Sequence, residues 1–254
     1  MKDIRYPENF GLEKTADTTW LIEDTAEIWK KYNIYLFDFD GTLADTRRVI
    51  AGDVATILNS QESYKLKKIT EVEIINLMNN NAKLTTIISE ILAQNGYIYD
   101  ENSPEIEFLR AKHSEMIANG NKEYLQQLQF SERLIENIKN LRNNNKIVGI
   151  VSNNDKNNIL KWLEANNIDN LFNFVIGYGQ FQDCQITADD LKPNTKMIKI
   201  ALNHIETNLN YSGNSEILYI GDTKTDFQTI QNFNKNSDLK IDLVLVDDFG
   251  NQEK

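Results

Sequence analysis

The chain has 254 residues, a single cysteine and a formal net charge of −11 at pH 7. A chain of this length typically buries roughly 70–75% of its extended-state surface, so it needs no covalent staple, and Cys184 alone cannot form an internal disulfide. The acidic balance argues against a nucleic-acid partner, which would want a basic face. No apolar run reaches the roughly 18 residues of a membrane span, and the polar opening from Met1 to Phe10 lacks secretory character. The expectation is a soluble cytoplasmic protein without membrane attachment, monomeric or homodimeric.

Residues 1–33 read as an extension packing on the core, with a helix over Thr25–Tyr32 and Trp20, Leu21 and Trp29 available as packing surface. A short apolar strand, Ile34–Phe37, then runs into Asp38 and Asp40. Side chains alternate along an extended backbone, so these two carboxylates project toward the same side. Carboxylates so placed repel, an arrangement that a cation or a reacting proton relieves. Gly41 and Thr42 follow at once. A calcium loop of the EF-hand type needs glycine at its sixth position and glutamate at its twelfth. Counted from Asp38, Gly41 is fourth and Val49 is twelfth, so that reading fails.

From Arg47 to Phe130 only helical patterns recur. Thr70 and Glu73 fit a capping box ahead of Ile74, Ile75, Leu77 and Met78. Leu84, Ile87, Ile88, Ile91 and Leu92 form an apolar stripe at helical spacing. Ser103-Pro104 places a cap and a first-turn proline at the next helix. Lys65, Lys67 and Lys68 read as solvated helix surface, and the asparagine runs at 79–81 and 143–145 suit turns or helix ends.

Beyond this interval, strand-like runs at Ile147–Val151, Phe174–Ile176, Ile217–Ile220 and Leu243–Val246 alternate with helices. The helices fall at Glu132–Arg142, Asn157–Asn166, Thr195–Ile205 and Thr225–Phe233. Such alternation predicts an α/β fold, a Rossmann-like parallel sheet with helices on both faces. Ser152-Asn153-Asn154-Asp155 and Gly221-Asp222 come directly after strands, where open α/β sheets bind ligands.

The segment Asp38-Phe-Asp40-Gly41-Thr42 resembles the first motif of the haloacid dehalogenase superfamily, and three further segments match its remaining motifs in order. Ser152-Asn153 is similar to the second, Lys192-Pro193 to the third, and Gly221-Asp222-Thr-Lys-Thr-Asp226 to the fourth. The resemblance, strongest to phosphatases such as the phosphoglycolate phosphatases, implies a core of residues 34–46 and 131–254 and an α-helical cap at 47–130 that closes over the site.

It also implies the chemistry: a magnesium-dependent phosphatase acting on a small phosphorylated metabolite. Asp38 would be the nucleophile and Asp40 the general acid, then base. Lys192 would neutralise the phosphoryl charge and steady the nucleophile, while Ser152, Asn153, Gly41 and Thr42 would line the phosphoryl site. Mg2+ would be held by Asp38, Asp222 and the Asp40 carbonyl, with Asp226 acting through water or by orienting Asp222.

The same comparison separates related chemistries. Dehalogenases lack the second aspartate and the metal, phosphonoacetaldehyde hydrolases carry a small residue in place of the second aspartate, and transporting ATPases carry lysine where this chain has Phe39. Two alternatives stay open: a phosphosugar mutase and a non-catalytic interaction protein. The related mutases carry a histidine a few residues beyond the first motif, where this chain has Ile50, so net hydrolysis is expected. His113 and His204 read as surface or structural residues, and Arg47 and Arg48 as solvated surface or substrate contacts.

Overall fold

The computed structural model describes residues 20–78, 84–209 and 216–249. The stretch Met1–Phe10 and the run at 79–81 lie outside them. The described residues divide into two compact units, one of residues 20–44, 130–209 and 216–249, the other of 45–78 and 84–129.

In the first unit, six strands form one sheet: β1 (Ile34–Phe37), β2 (Ile147–Asp155), β3 (Phe174–Phe181), β4 (Cys184–Ile186), β5 (Ile217–Gly221) and β6 (Ile241–Leu245). Their order is β4-β3-β2-β1-β5-β6, and every pairing is parallel except that of β3 with β4. The Rossmann-like α/β architecture is therefore as expected, with one correction. The strand at Phe174 runs on to Phe181 and turns back as a short antiparallel hairpin, which the sequence reading stopped short of. Only three residues return in β4, too few for a periodicity to register.

β1 lies between β2 and β5, so the strand order reverses beside it. That reversal opens a crevice at the carboxyl ends of the strands. β1 is buried on both faces, and Tyr35, Leu36 and Phe37 have no exposure at all. A continuous apolar run suits a central parallel strand of this kind.

The helices of this unit are α1 (Ile28–Lys31), α7 (Glu132–Asn143), α8 (Lys156–Ala165), α9 (Lys196–Asn208) and α10 (Lys224–Lys235). Each of the last four buries an apolar stripe, such as Met197, Ile198, Ala201 and Ile205 on α9. α7 opens on Ser131, whose side chain accepts from the Leu134 amide, and α8 on Asp155, which accepts from Asn157 and Asn158. Asn143 ends α7, and Asn145 follows at φ 56°, a left-handed conformation that asparagine tolerates.

The segment ahead of β1 is less helical than its sequence suggests, since α1 spans only Ile28–Lys31. Leu21 instead forms a parallel bridge with Leu243, flanked by hydrogen bonds from Leu243 N–H to Trp20 O and from Ile22 N–H to Leu243 O, each 2.9 Å. Those bonds cap the outer edge of β6, a place where unpaired backbone groups would otherwise stay exposed. Trp20 joins the core beside Phe227, and Trp29 stacks near Tyr35 and Phe37.

The second unit contains helices α2 (Thr46–Asn59), α3 (Glu71–Met78), α4 (Leu84–Gln94), α5 (Pro104–Asn119) and α6 (Lys122–Leu125). Its core includes Val54, Leu58, Ile74, Ile88, Leu92 and Leu109. Thr70 and Glu73 exchange hydrogen bonds ahead of α3, and Ser103 caps α5 by accepting from Ile106. Lys65, Lys67 and Lys68 are exposed as expected, but they lie on an irregular segment between α2 and α3 rather than on a helix. His113 is buried with Nε2 3.4 Å from Asp53 Oδ2, a structural placement. No described helix is long and apolar enough to cross a membrane.

Phe39 fixes the loop after β1. It is fully buried, stacked on Trp162 of α8 at 5.8 Å and edge-on to Phe130 at 6.0 Å. Phe39→Ala would empty that slot and should destabilise the protein by about 3–5 kcal/mol, the usual range for deleting a buried aromatic ring. Urea denaturation followed by tryptophan fluorescence checks this, and a shift under 1 kcal/mol would contradict it.

Candidate active site

The carboxyl end of β1 continues into a tight loop. Asp38 N–H still donates to Ile220 O at 2.8 Å, so the ladder to β5 persists one residue past the strand. The chain then folds on itself, with Gly41 N–H donating to Ala44 O at 2.8 Å and Ala44 N–H to Phe39 O at 3.0 Å. With Phe39 anchored in the core, alternation turns Asp38 and Asp40 to the opposite side.

Gly41 sits at φ 77°, and a Cβ there would lie 2.3 Å from Asp222 Oδ2. No other residue fits without displacing Asp222. Thr42 donates from Oγ1 to Asp222 Oδ1 at 2.8 Å. Gly41 and Thr42 thus seat a carboxylate delivered by β5, a role that the sequence reading had given to phosphoryl contact alone.

Lys192 arrives from the loop before α9 and is buried. Its Nζ lies 2.7 Å from Asp38 Oδ1 and 2.6 Å from Asp226 Oδ1. The approach to Asp38 is close but poorly aligned, so Oδ1 of Asp38 accepts no hydrogen bond from the described residues. Lys192 also donates to Tyr219 OH at 3.0 Å. That hydroxyl lies 3.0 Å from both Val151 O and Asp226 Oδ1 and can donate to either.

Asn153 was expected to face the substrate. Both ends of its amide are instead engaged by the Lys192 backbone: Oδ1 accepts from Lys192 N–H at 2.7 Å, and Nδ2 donates to Lys192 O at 3.1 Å. A bidentate amide of this kind holds the lysine loop in place, and its second N–H and second oxygen lone pair stay uncommitted by these two bonds.

Asp226 is fully buried in the first turn of α10. Its Oδ2 accepts from Thr223 Oγ1 at 2.6 Å, Thr223 N–H at 3.1 Å and Asp222 N–H at 3.3 Å, while Thr223 Oγ1 accepts from Asp226 N–H. This capping box ties the fourth motif together.

The charges in this cluster do not balance. Asp38, Asp40, Asp222 and Asp226 face one lysine. Burial pushes the Asp38 carboxyl well above the ordinary range; Lys192 opposes the rise, and Asp226, Asp222 and Asp40 add to it. Burial acts the same way on Asp226, but Lys192 and the Thr223 donors outweigh it and hold that carboxyl below its usual value. Burial alone would lower Lys192, yet Asp226 and Asp38 keep it firmly protonated. Ligand oxygens of Asp38, Asp222 and Asp226 all lie within 4.8 Å of one another. A buried all-oxygen donor set with surplus negative charge fits a hard divalent cation such as Mg2+. Both oxygens of Asp226 are already committed, which leaves Asp38 and Asp222 as the better placed ligands.

Asp40 is half-buried at the edge of this cluster and belongs to a second group. Its Oδ2 accepts from Ser152 Oγ at 3.2 Å and its Oδ1 from Asn154 Nδ2 at 2.8 Å. Both donors come from an irregularity in β2. Pairing with β3 passes from Val151↔Ile176 to Asp155↔Tyr178, so three residues of β2 stand against Gly177 alone. A Cβ on Gly177 would come within 2.5 Å of Asn154 O, so the glycine makes room for the bulge.

The structure therefore brings together Asp38, Asp40, Gly41, Thr42, Ser152, Asn153, Lys192, Asp222 and Asp226, and it gives partners to Tyr219, Thr223 and Asn154, for which no role was expected. Tyr219 reads as an ordinary strand residue, and Thr223 and Asn154 as parts of polar turns. The four segments are far apart in the chain, and nothing in their local pattern reports which side chains meet.

The family model for haloacid dehalogenase-like hydrolases matches residues 35–237. Among solved structures, an assigned haloacid dehalogenase-like hydrolase from Bacteroides fragilis is 25% identical at a TM-score of 0.56, over 78% of this chain and 82% of that one. An assigned phosphatase from Clostridium difficile is 20% identical at a TM-score of 0.60, over 80% and 82% of the two chains. A predicted phosphoglycolate phosphatase from Haemophilus somnus is 18% identical at a TM-score of 0.55, over 78% and 80%. No curated protein matches the chain. With its motifs gathered at the carboxyl ends of the strands and the family model spanning most of its length, the chain belongs to the haloacid dehalogenase-like hydrolases.

Proposed function

We propose that this protein is a Mg2+-dependent phosphatase that hydrolyses a small-molecule phosphate monoester through an aspartyl-phosphate. The observation that carries this reading is Lys192 Nζ within 2.7 Å of Asp38 and 2.6 Å of Asp226, in a buried cluster that also holds Asp222. Phosphate monoester hydrolysis is among the slowest uncatalysed reactions known, with accelerations of up to ~10²¹-fold on record. Splitting it across a covalent intermediate and stabilising the charge on the transferring group are the available routes.

In the first step, an oxygen of Asp38 attacks phosphorus as the bond to the leaving oxygen breaks. Asp40 gives that oxygen its proton, so the product departs as an alcohol. In the second step, Asp40 takes a proton from water, the water oxygen attacks phosphorus, and the bond to Asp38 breaks. Phosphate leaves, the Asp38 carboxylate is restored and Asp40 is again protonated. Lys192 and Ser152 are positioned to hold charge on the phosphoryl oxygens. Bound Mg2+, on Asp38, Asp222 and the Asp40 carbonyl, would supply charge neutralisation between the anionic phosphate and the incoming carboxylate. A small ester suits a chain of net charge −11 better than a phosphorylated polyanion does.

Asp38→Asn should abolish turnover of p-nitrophenyl phosphate while preserving the fold, because the nearly isosteric amide is no nucleophile. Without metal its melting temperature should equal or exceed that of the wild type, since relief of burial and of repulsion from Asp226, Asp222 and Asp40 offsets the lost ion pair with Lys192. Retention of more than a small fraction of wild-type activity would rule out Asp38 as nucleophile.

EDTA should stop turnover, and added Mg2+ should restore it. Independently of catalysis, Mg2+ should raise the melting temperature of the wild type, because a ligand bound only to the folded state stabilises it. Asp222→Ala should lose most of that thermal shift. Full activity in chelator would overturn the metal requirement.

A further inference from the structure

We propose that Asn154 is a positioning residue for Asp40, holding the carboxyl that protonates the leaving group and then activates water. The inference rests on the phosphatase reading and goes beyond its four motifs. Asn154 Nδ2 donates to Asp40 Oδ1 at 2.8 Å, while Asn154 Oδ1 accepts from the Asp155 N–H at 2.7 Å. The second contact fixes the first. A backbone N–H can only donate, so the atom facing it is the amide oxygen, and the NH2 group must face Asp40.

The other donor to Asp40 is Ser152, whose hydroxyl lies 3.2 Å from Oδ2. A hydroxyl has one proton to give. Once Ser152 donates to a phosphoryl oxygen, as its place in the site requires, it cannot also donate to Asp40. Asn154 then remains as the hydrogen-bond donor to that carboxyl. Ser152 and Asn154, two residues apart in the bulged stretch of β2 opposite Gly177, face the same carboxylate. The side-chain amide of Asn154 is engaged with the Asp40 carboxylate and the Asp155 N–H, so it acts through Asp40.

A general acid matters in proportion to how badly the leaving group needs a proton. p-Nitrophenolate leaves without one, whereas an alkoxide does not. The test therefore compares p-nitrophenyl phosphate with the best alkyl phosphate from a metabolite panel, with 2-phosphoglycolate included. Both are measured for wild type, Asn154→Ala, Asn154→Asp and Asp40→Asn in excess Mg2+. Asn154→Asp keeps the acceptor for Asp155 and so preserves the local turn, but it sets an anion against Asp40.

The expected result for Asn154→Ala is a kcat loss of about ten- to a hundredfold on the alkyl ester, the scale of a hydrogen bond to a charged group. The loss on the aryl ester should be several-fold smaller, with little change in KM on either. Asn154→Asp should lose more than Asn154→Ala on the alkyl ester. Added to Asp40→Asn, Asn154→Ala should cost almost nothing further, as coupling through one partner demands.

Equal losses on both esters, or full additivity with Asp40→Asn, would overturn the role of Asn154 while leaving the phosphatase reading intact. Wild-type protein inert toward every ester would overturn the phosphatase reading and the proposal with it, and turnover of the aryl ester with no alkyl ester accepted would overturn the proposal alone.

Discussion

One ammonium group between two buried carboxylates organises this molecule. Lys192 Nζ sits within 2.7 Å of Asp38 and 2.6 Å of Asp226, and all three side chains are almost wholly removed from solvent. Desolvating charges costs several kcal/mol per ion, repaid only with good geometry and further hydrogen bonds. The extra bonds are present on one side. Asp226 has Thr223, the Asp222 amide and Tyr219, whereas Asp38 Oδ1 accepts none from the described residues. The asymmetry separates the two partners: Asp226 is a fixed anchor, and Asp38 is left with the unmet electrostatic demand.

The surrounding fold serves that contact. β1 and β5 run parallel with Phe37 opposite Ile220, so Asp38 and the residues just past β5 emerge side by side. Gly41 lets the loop pass against Asp222, and Thr42 holds it by one hydrogen bond. Asn153 grips the Lys192 backbone from the end of β2. Phe39 pins the loop from behind by its stack on Trp162. Asp222, the Lys192 backbone and the loop after β1 are thus each held in place by packing or hydrogen bonds, as preorganised charge stabilisation requires.

Surplus negative charge is the other constraint. A site built only for stability would pair its carboxylates, since buried unpaired anions are expensive. Here Asp38, Asp222 and Asp226 cluster with one lysine among them, and the Asp38 carboxyl is raised by burial and then by its neighbours. That cost makes sense when a cation and an anionic substrate complete the site. Asp40 stands slightly apart, held by Ser152 and Asn154 rather than by the lysine, a placement that suits the proton-carrying role proposed for it.

Strand positions, helical stripes and the order of the four motifs were legible in the sequence because each is local. Alternation, a 3.6-residue period and a capping box all report on near neighbours in the chain, and Ile34–Phe37 and the stripe through Ile87, Ile88, Ile91 and Leu92 were read correctly from them. Local signals failed where tertiary contacts overrode them. The predicted helix over Thr25–Tyr32 yielded half of its length to turns and irregular backbone, with Ile28–Lys31 helical and Leu21 bridged to β6 just before it. β2 ran past its expected end because β3 offered further pairing across a bulge. The functions of single side chains were least legible. Asn153 and Asn154 could be placed in a polar cluster after a strand but not aimed, and Tyr219 carried no signal, because the partners lie 114, 39 and 27 residues away for Asp40–Asn154, Asn153–Lys192 and Lys192–Tyr219. Sequence determined which chemistry the chain carries; only the tertiary fold, by closing those long separations, decided which atoms meet.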